Sequence, residues 1–374
     1  MDDLEGMSQG ALAAPLCKQG LTGRIDPPHG HTPPQAAFPV AADAGGPDTG
    51  RAPVTVVIVN YNAGAVLAEC LSSVLSEAAE VVVVDNASDP RVFEPVVARF
   101  EADPRVRVIR SPENRGFAAG CNAGVKAATQ PFIFFLNPDC FVAAGSIHRL
   151  VAALESAPGA ALAGGLLIYP DGIEQGGGRR AVPTPWRSFV RAFGLSRFAA
   201  RWPRLFDDFH LHQRPLPAEV VEVEAISGAC TLVRREGIDH FGMMDEGYFL
   251  HCEDLDFCMR AREHGWSILF VPDAPVVHLK GVCSRDRPFF VEWHKHKGMV
   301  RFYRKHFRAA YPIGLMELVT LGVWIRFAAV AGREGVKLIA RRRREGAPLL
   351  SPVSGGDSRA PAAGPLISRP LASS

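Results

Sequence analysis

Buried strands alternate with amphipathic helices along the first half of the chain. Four short apolar runs predict strands that are buried on both faces, at Val54–Val59, Val81–Val84, Val106–Ile109 and Phe132–Leu136. Apolar residues recur at helical spacing from Val66 to Leu75 and from Val92 to Phe100, and a third helix is predicted after Gly120. This alternation is typical of a parallel sheet covered by helices on both faces, so we predict a doubly wound α/β fold.

Polar residues directly follow three of these strands. The first strand runs into "NYN" (60–62), the second ends at Asp85, and the fourth runs into "NPD" (137–139). An Asn-Pro pair by itself favours a turn. Because the carboxyl ends of parallel strands meet at one edge of a sheet, three such endings together predict a ligand site at that edge.

The turn after the first strand argues against the common nucleotide-binding loops. It reads "NYNAGA" and contains a single glycine, whereas a dinucleotide site needs GxGxxG at this place. The chain also lacks a GxxxxGK sequence followed by Ser or Thr. Both observations disfavour ordinary NAD-binding and P-loop chemistry.

Composition adds four expectations. A length of 374 residues with 47% hydrophobic residues allows a sizeable core, and a net charge of +2 gives no electrostatic reason to expect a nucleic-acid partner. The eight scattered cysteines include no CxxC pair, which predicts buried apolar side chains rather than zinc ligands. The start "MDDLEGMSQG" lacks the apolar stretch of a secretory signal, so we expect a cytoplasmic protein.

Composition also divides the chain into four segments. Residues 1–52 and 346–374 are rich in Pro, Gly and Ala without hydrophobic periodicity, which predicts disordered tails. Residues 53–305 carry the predicted α/β domain. Residues 306–345 form a basic extension that is predicted to be helical.

The helical extension allows two interpretations. Residues 313–331 are mostly apolar, but Arg326 within a membrane span would cost ~2.5–3.5 kcal/mol, which disfavours a transmembrane helix. Basic residues recur on one helical face up to "RRRR" at 341–344. This stripe predicts either a helix on the anionic inner face of the plasma membrane, or a helix packed on the domain with its basic face in solvent.

Seven motifs resemble, in order, those of the family-2 glycosyltransferases of GT-A fold, and in particular the rhamnosyltransferase-like bacterial branch. The resemblance covers roughly residues 53–305. Its motifs are "VIVNYN", "VVVVDNASD", "PENRGFAAGCNAG", "FLNPD", "ISGACTLVRRE", "GYFLHCEDLDFCMRAREHGW" and "VVHLKG". The GT-A fold, a mainly parallel doubly wound sheet followed here by C-terminal helices, is the fold that the resemblance implies.

The resemblance implies a nucleotide-sugar site. Asp85 would accept a hydrogen bond from the base, Tyr61 would stack on it, and the glycine-rich loop at a helix N-terminus would favour the diphosphate. From the residues alone, Asp85 can also be a helix cap, and the loop an ordinary connection. The residues assigned to this site are Asn60, Tyr61, Asp85, Asn114, Gly116, Asn122 and Asn137.

A divalent cation, Mg²⁺ or Mn²⁺, is also implied. The resemblance places Asn137 and Asp139 at the family's DxD metal motif and His278 at a further metal position. The cation would neutralise charge that develops on the diphosphate leaving group. Asp139 can ligate it directly, whereas neutral Asn137 can only hydrogen-bond the donor or water. A lone histidine after a strand is often structural, so both interpretations of His278 stay open.

The acidic stretch near residue 253 predicts a helix whose first turn carries Glu253, Asp254 and Asp256. Asp256 and Arg260 lie one turn apart and are expected to form an ion pair. The resemblance implies that Asp254 deprotonates the acceptor hydroxyl and that Glu253 positions the acceptor or tunes the pKa of Asp254. With Asp256 paired, Asp254 is expected to lack a structural partner.

The resemblance implies an inverting, metal-dependent glycosyltransferase of polysaccharide or cell-wall biosynthesis. Its donor would be dTDP-rhamnose or a UDP-sugar, and its acceptor a glycan or a polyprenyl-linked saccharide. One alternative is a nucleotidyltransferase that makes a sugar nucleotide, although "NYNAGAVLAE" lacks the basic glycine-rich loop that a triphosphate needs. Another is a non-catalytic glycan-assembly protein. The incomplete DxD motif favours it, and the intact Glu253–Asp254 pair argues against it.

Overall fold

A computed structural model of the chain describes residues 50–199, 201–206, 209–281 and 287–344. The two predicted tails fall almost entirely outside these described residues. The strands are β1 Ala52–Asn60, β2 Ala78–Asp85, β3 Val106–Arg110, β4 Phe132–Leu136, β5 Cys140–Val142, β6 Ala160–Ile168, β7 Arg179–Arg180, β8 Val221–Glu222, β9 Ala225–Ile226, β10 Cys230–Arg234 and β11 Ser267–His278. The α-helices are α1 Val66–Leu75, α2 Pro90–Val97, α3 Phe117–Ala127, α4 Ser146–Ser156, α5 Pro185–Ala192, α6 Pro203–Phe206, α7 Arg235–Phe241, α8 Glu253–Glu263, α9 Pro288–Phe307 and α10 Leu315–Arg344.

The described strands build one large mixed sheet in the order β3-β2-β1-β4-β10-β6-β11-β5, with β8 paired to β11. Strands β1 to β4 pair in parallel, and β10 runs antiparallel to both β4 and β6. Strand β11 is parallel to β6 and antiparallel to β5 and β8. Six of these nine strands therefore run in the same direction, which confirms the predicted mainly parallel α/β sheet.

Alternate side chains of β1 enter two different cores. Val54, Val56 and Ile58 pack with α1 and α4 on one face of the sheet, whereas Val57 and Val59 pack with α3 and α8 on the other. Both faces of the central strands are thus covered, as the unbroken apolar runs predicted.

Helix α3 lies unusually close to β1 because glycines face the strand. A Cβ atom on Gly120 would lie 2.6 Å from a methyl group of Val59. The helix begins at Phe117 rather than after Gly120. Gly116 is its N-cap, and its positive φ of +88° lets the chain turn into the helix at that position. The predicted helix through Val92 begins at Pro90 and ends at Val97.

The C-terminal helices pack on each other. Met316 and Val323 of α10 are buried, and the Arg326 guanidinium lies 2.9 Å from His296 Nε2 on α9. The opposite face of α10 exposes large apolar side chains, including Leu318, Leu321 and Ile325. Within the described residues one stretch, Leu315–Leu338, is long and apolar enough to cross a membrane, judged by length and composition alone. Helix α10 therefore has one packed face and one exposed apolar face.

Candidate functional site

Asn60 and Asp85 meet where β1 and β2 end. The Asn60 amide donates hydrogen bonds to Asp85 Oδ1 at 2.9 Å and to Ser88 Oγ at 3.0 Å. Asp85 Oδ2 accepts the Ser88 backbone N–H at 3.1 Å. The N-cap of α2 is Asp89, whose side chain accepts the Arg91 backbone N–H. Asp89 therefore caps α2, whereas Asp85 caps only the turn after β2, and its carboxylate is held at the tip of the strand.

Two more of the predicted donor-binding residues follow strands of the sheet. Tyr61 comes directly after β1 and Asn137 directly after β4, and both are half-buried. The Arg287 guanidinium carbon lies 5.7 Å from the centre of the Tyr61 ring. Both side chains thus keep part of their surface accessible beside buried Asp85 and Asp139.

The glycine-rich loop is fixed against the segment that precedes α8. Asn114 Oδ1 accepts the Gly116 backbone N–H at 2.9 Å, and the Gly116 carbonyl oxygen accepts from Asn86 Nδ2 at 2.9 Å. The Phe117 N–H donates to the Phe249 carbonyl oxygen at 2.9 Å. A side chain at position 116 would overlap that carbonyl group, so glycine is required there by close backbone approach.

Asn122 has a different position from the one expected of a donor ligand. Its amide lies buried in α3, where Oδ1 accepts the Met244 N–H at 3.0 Å and Nδ2 donates to the Met244 carbonyl oxygen at 2.9 Å. Nδ2 also donates to Glu246 Oε1 at 3.0 Å. These contacts use the amide to hold the loop before α8, so we assign Asn122 a structural role in place of nucleotide binding.

Three potential metal ligands lie together where β4 and β11 end. One donor atom from each of Asp139, Cys140 and His278 lies within 4.8 Å of the others. Asp139 Oδ1 and His278 Nε2 are 3.4 Å apart, close to the ~3 Å that separates neighbouring ligands of one octahedral ion with bonds of about 2.1 Å. These two side chains can therefore hold a divalent cation, as the resemblance implied.

Cys140 is a poorer ligand than its two neighbours. Burial, together with the negative charge of Asp139, raises the pKa of its thiol well above the usual range. Only the thiolate is an effective metal ligand, so Asp139 and His278 are the better donors of the group.

Gln175, which the motifs did not indicate, fixes the tautomer of His278. Its Nε2 donates to the His278 carbonyl oxygen at 2.6 Å, so its Oε1 is the atom that lies 2.9 Å from Nδ1. An amide oxygen can only accept, hence Nδ1 carries a proton, and Nε2, which faces Asp139, is the nitrogen available to a metal. Hydrogen bonds of this kind to the other ring nitrogen orient metal-ligating histidines.

Asp254 lies at the start of α8 and has partners that the sequence did not reveal. Its Oδ2 accepts hydrogen bonds from Arg180 Nη2 and, at 3.2 Å, from the Gly228 backbone N–H. The expectation that Asp254 lacks a structural partner is therefore wrong. Burial lowers the pKa of Arg180, but the negative charge of Asp254 outweighs this effect and raises it. The carboxylate remains partly accessible, at 17% of its side-chain surface.

Glu253 has an environment unlike that of its neighbour. It is buried, and its Oε2 has no hydrogen-bond partner among the described residues. Burial first, and the charge of Asp254 second, raise the pKa of Glu253 to about 8. His251 and Cys252 before it both adopt left-handed φ values, +68° and +70°, which are rare for non-glycine residues and recur at functional sites.

Asp256 has the structural role that its spacing predicted. Its Oδ2 accepts from Arg260 Nε at 2.8 Å, which confirms the expected ion pair. Its Oδ1 lies 2.8 Å from His306 Nε2 and 2.7 Å from Lys305 Nζ, so α9 is joined to α8 through this carboxylate. Despite its burial, these partners hold the pKa of Asp256 far below the usual range.

One short turn, residues 227–229, connects the acid pair with the metal-binding group. The Gly228 N–H donates to Asp254, while the Ala229 carbonyl oxygen accepts the Asn137 N–H at 3.1 Å. A Cβ atom on Gly228 would lie 3.2 Å from the Asp254 Cβ, so the turn passes directly over the start of α8. The carboxylate of Asp254 and the Asn137–Asp139 turn thus border the same part of the sheet edge.

Comparisons with known proteins show which families and structures this chain is similar to. Residues 55–240 match the family model described as "Glycosyl transferase family 2". The chain is 32% identical over 248 residues to N-acetylglucosaminyl-diphospho-decaprenol L-rhamnosyltransferase of Mycobacterium tuberculosis, covering 62% of this chain and 78% of that protein. It is 24% identical over 219 residues to the low-salt glycan biosynthesis hexosyltransferase Agl10 of Haloferax volcanii, covering 58% and 63%. Mannosyltransferase PcManGT from Pyrobaculum calidifontis, solved with GDP-Man and Mn²⁺, is similar at a TM-score of 0.47 and 18% identity, covering 79% and 81%.

Proposed function

This chain belongs to the family-2 glycosyltransferases, and from that premise we propose that it transfers a deoxyhexose, rhamnose, from a nucleotide diphosphate to a lipid-linked saccharide. The observation that carries the proposal is the turn at residues 227–229, which contacts both Asp254 and the Asn137–Asp139 turn. An acceptor-activating acid and a diphosphate-binding group must border one cleft for transfer in a single step. The rhamnosyl donor and lipid-linked acceptor follow from the 32% identical relative.

In the proposed reaction Asp254 is the general base. The acceptor hydroxyl oxygen attacks the anomeric carbon, the bond from that carbon to the diphosphate oxygen breaks, and Asp254 takes the hydroxyl proton. Its contacts with Arg180 and Gly228 hold the carboxylate oriented before the acceptor arrives. This displacement inverts the configuration of the transferred sugar.

Glu253 is proposed to position the acceptor. Since its pKa is raised to about 8, the side chain is largely protonated at neutral pH and can donate a hydrogen bond as well as accept one. Its unpartnered Oε2 then has a role in the complex, as a contact to an acceptor hydroxyl.

Asp139 and His278 would hold the divalent cation, which when bound neutralises negative charge on the leaving diphosphate. A ligand set with one imidazole favours Mn²⁺ over Mg²⁺, because Mg²⁺ prefers an all-oxygen shell. Asp85, Asn60 and Tyr61 are proposed to bind the nucleoside. Asn114, Gly116 and Asn137 are proposed to border the diphosphate and the donor sugar.

We propose that the enzyme binds the cytoplasmic side of a membrane, and one surface of suitable composition belongs to α10. Its exposed face carries Leu318, Leu321 and Ile325, and its last turns carry basic residues. Apolar residues beside basic ones favour binding at an anionic lipid surface.

The proposal is tested by a ligand panel followed by a transfer assay. Thermal unfolding is measured with dTDP, UDP and GDP, and with their sugars, each with and without Mn²⁺. Because a ligand that binds the native state stabilises it, we expect dTDP-rhamnose with Mn²⁺ to give the largest rise in midpoint. Transfer of labelled rhamnose to N-acetylglucosaminyl-diphospho-polyprenol is then measured directly. Pyrophosphate release from a sugar phosphate and a nucleoside triphosphate would instead identify a nucleotidyltransferase, and donor binding without turnover a non-catalytic protein.

A further inference from the structure

A cluster of large apolar side chains is exposed on α5, on α6 and on the turn between them. Phe193 is 64% exposed and Trp202 is 50% exposed, although both belong to residue types that are usually buried in a monomer. The exposed members of the cluster are Trp186, Phe189, Phe193, Phe198, Trp202 and Leu205.

These side chains form one continuous surface. The rings of Trp186 and Phe189 are stacked 5.6 Å apart, and Phe193 lies 4.5 Å from Phe189. Trp186 Nε1 donates to the Leu205 carbonyl oxygen at 2.7 Å, which joins α5 to α6. Trp202 in turn lies 6.5 Å from Phe198. We call the described residues 185–199 and 201–206 the aromatic–arginine surface.

The charge of this surface has one sign. Residues 185–206 contain five arginines and no Asp or Glu, and the nearest following acids, Asp207 and Asp208, lie outside the described residues. Arg187 is paired with Glu224 and belongs to the scaffold. Exposed guanidinium groups lie beside exposed rings, with Arg197 4.8 Å from the Phe198 ring centre and Arg201 6.0 Å from that of Trp202.

The surface is fastened to the part of the site that would receive the acceptor. Helix α5 begins five residues after Arg180, the partner of Asp254. Its N-cap is Thr184, and Ser188 Oγ lies 2.7 Å from the Tyr303 hydroxyl group on α9. The aromatic–arginine surface is therefore joined to the start of α8 through a short chain connection and the Arg180–Asp254 pair.

We propose that the aromatic–arginine surface docks on an anionic phospholipid membrane and so presents Asp254 to an acceptor that is fixed in the bilayer. The link to the acceptor rests on the proposed function; the docking itself does not. Aromatic rings at the depth of the headgroups, with arginines reaching phosphates, match the interleaving of the two residue types along 185–206. This surface is separate from the apolar face of α10, which the sequence had indicated.

Tryptophan quenching locates the contact. The full chain has five tryptophans, of which Trp186 and Trp202 are on the proposed surface and Trp293 and Trp324 on α9 and α10. Vesicles of brominated phosphatidylglycerol quench only the rings that reach the lipid. We expect the double variant Trp186→Phe, Trp202→Phe to lose most of the quenching, and Trp293→Phe, Trp324→Phe to retain it. The reverse result would place the contact on the C-terminal helices and overturn the proposal.

Sedimentation with phosphatidylglycerol vesicles measures the affinity. We expect Arg197→Gln to lower it about fivefold and the pair Arg197→Gln, Arg201→Gln about thirtyfold, since each arginine near an anionic surface contributes about that factor. Phe193→Ser should lower it by about tenfold. The matched controls are Arg99→Gln, whose guanidinium also lies beside a ring at 5.6 Å, and Ile173→Ser, which is 62% exposed elsewhere. Neither control should change the affinity.

Three outcomes would overturn the docking proposal. In the first, the wild-type protein fails to bind the vesicles, and in the second, the control variants lower the affinity as much as the surface variants do. The third outcome is that the surface variants alter self-association in analytical ultracentrifugation but leave vesicle binding unchanged. Donor binding, measured by thermal shift without lipid, should be unchanged in every surface variant. If donor binding fails in the wild type while vesicle binding obeys the pattern above, the proposed function is wrong and the docking surface stands.

Discussion

Gln175 contacts His278 at two points: its Nε2 donates to the His278 carbonyl oxygen at 2.6 Å, and its Oε1 lies 2.9 Å from Nδ1. Both residues are buried, so the imidazole is held with Nε2 directed to Asp139, 3.4 Å away. The pair holds the proposed metal ligand His278 in an orientation that does not depend on a metal.

The first prediction follows from this contact. Gln175→Leu removes both hydrogen bonds and leaves Asp139 and His278 in place. We therefore expect Mn²⁺ affinity to fall by about 10–100-fold, the usual effect of losing a side chain that orients a metal ligand. Calorimetric titration of the purified protein with Mn²⁺ measures this. Gln130→Leu, at the opposite end of β4, is the control and should bind Mn²⁺ like the wild type. Unchanged affinity in Gln175→Leu would mean that His278 is not a ligand.

The second prediction separates the two ends of the incomplete DxD motif. Asp139→Ala removes the negatively charged ligand and should abolish metal-dependent transfer, because a hard divalent cation depends on a carboxylate here. Asn137→Ala removes a half-buried amide and should leave measurable activity. Transfer rates are compared across a range of Mn²⁺ concentrations. Equal losses in both variants would show that Asn137 contributes as much as Asp139.

Which features of the site can be predicted from the sequence depends on how far apart the contacting residues lie in the chain. Strand β4 has the predicted bounds, and Asp85 and Asp139 lie at strand tips as expected, because a buried apolar run fixes where a polar residue emerges. Gln175 and Arg180 contact residues 103 and 74 positions away, and no local pattern encodes such pairs. For the same reason the sequence predicts a donor-binding role for Asn122. In the structure its amide instead forms hydrogen bonds with Met244, 122 positions away.

The third prediction concerns the pH dependence of stability. Burial lowers the pKa of His306. Hydrogen bonds to Asp256 and Glu263 outweigh this effect and raise the pKa above its usual value near 6.5. The stabilisation is therefore complete below about pH 6.5 and is lost as the pH rises through the folded-state pKa. We expect the free energy of unfolding, measured in urea, to fall more steeply above neutral pH in the wild type than in His306→Gln. His148→Gln, a half-buried histidine on α4, should follow the wild-type curve.

The fourth prediction tests the raised pKa of Glu253. An ionised carboxylate is disfavoured in this buried position, so the wild type should lose stability as the pH rises from the unfolded-state pKa near 4.3 through the folded-state value of about 8. Glu253→Gln cannot ionise and should therefore gain stability over the wild type with rising pH. Unfolding midpoints at about pH 6 and about pH 9 measure the difference. The exposed control Glu113→Gln should show none.

The last prediction assigns the base. Glu253 and Asp254 are adjacent on α8 and therefore differ by about 100° around the helix axis, so the two carboxyl groups cannot face one reacting oxygen equally. Their environments also differ, since Asp254 pairs with Arg180 and is partly accessible, whereas the raised pKa keeps Glu253 largely protonated at neutral pH. A protonated acid cannot accept the hydroxyl proton. We therefore expect Asp254 to be the base.

Asp254→Asn keeps the size of the side chain and its contact with the Gly228 N–H but cannot take a proton. We expect turnover to fall by about 10²–10⁴, the usual contribution of a general base, with donor affinity near that of the wild type. Thermal stability should fall, because the largely buried Arg180 guanidinium loses its charged partner. Glu253→Gln should cost less turnover and more apparent acceptor affinity. Steady-state transfer rates at saturating donor, with the acceptor concentration varied, separate the two effects. If Glu253→Gln is inactive while Asp254→Asn turns over normally, the roles of the two acids are reversed, because an amide at position 254 would then suffice for positioning alone.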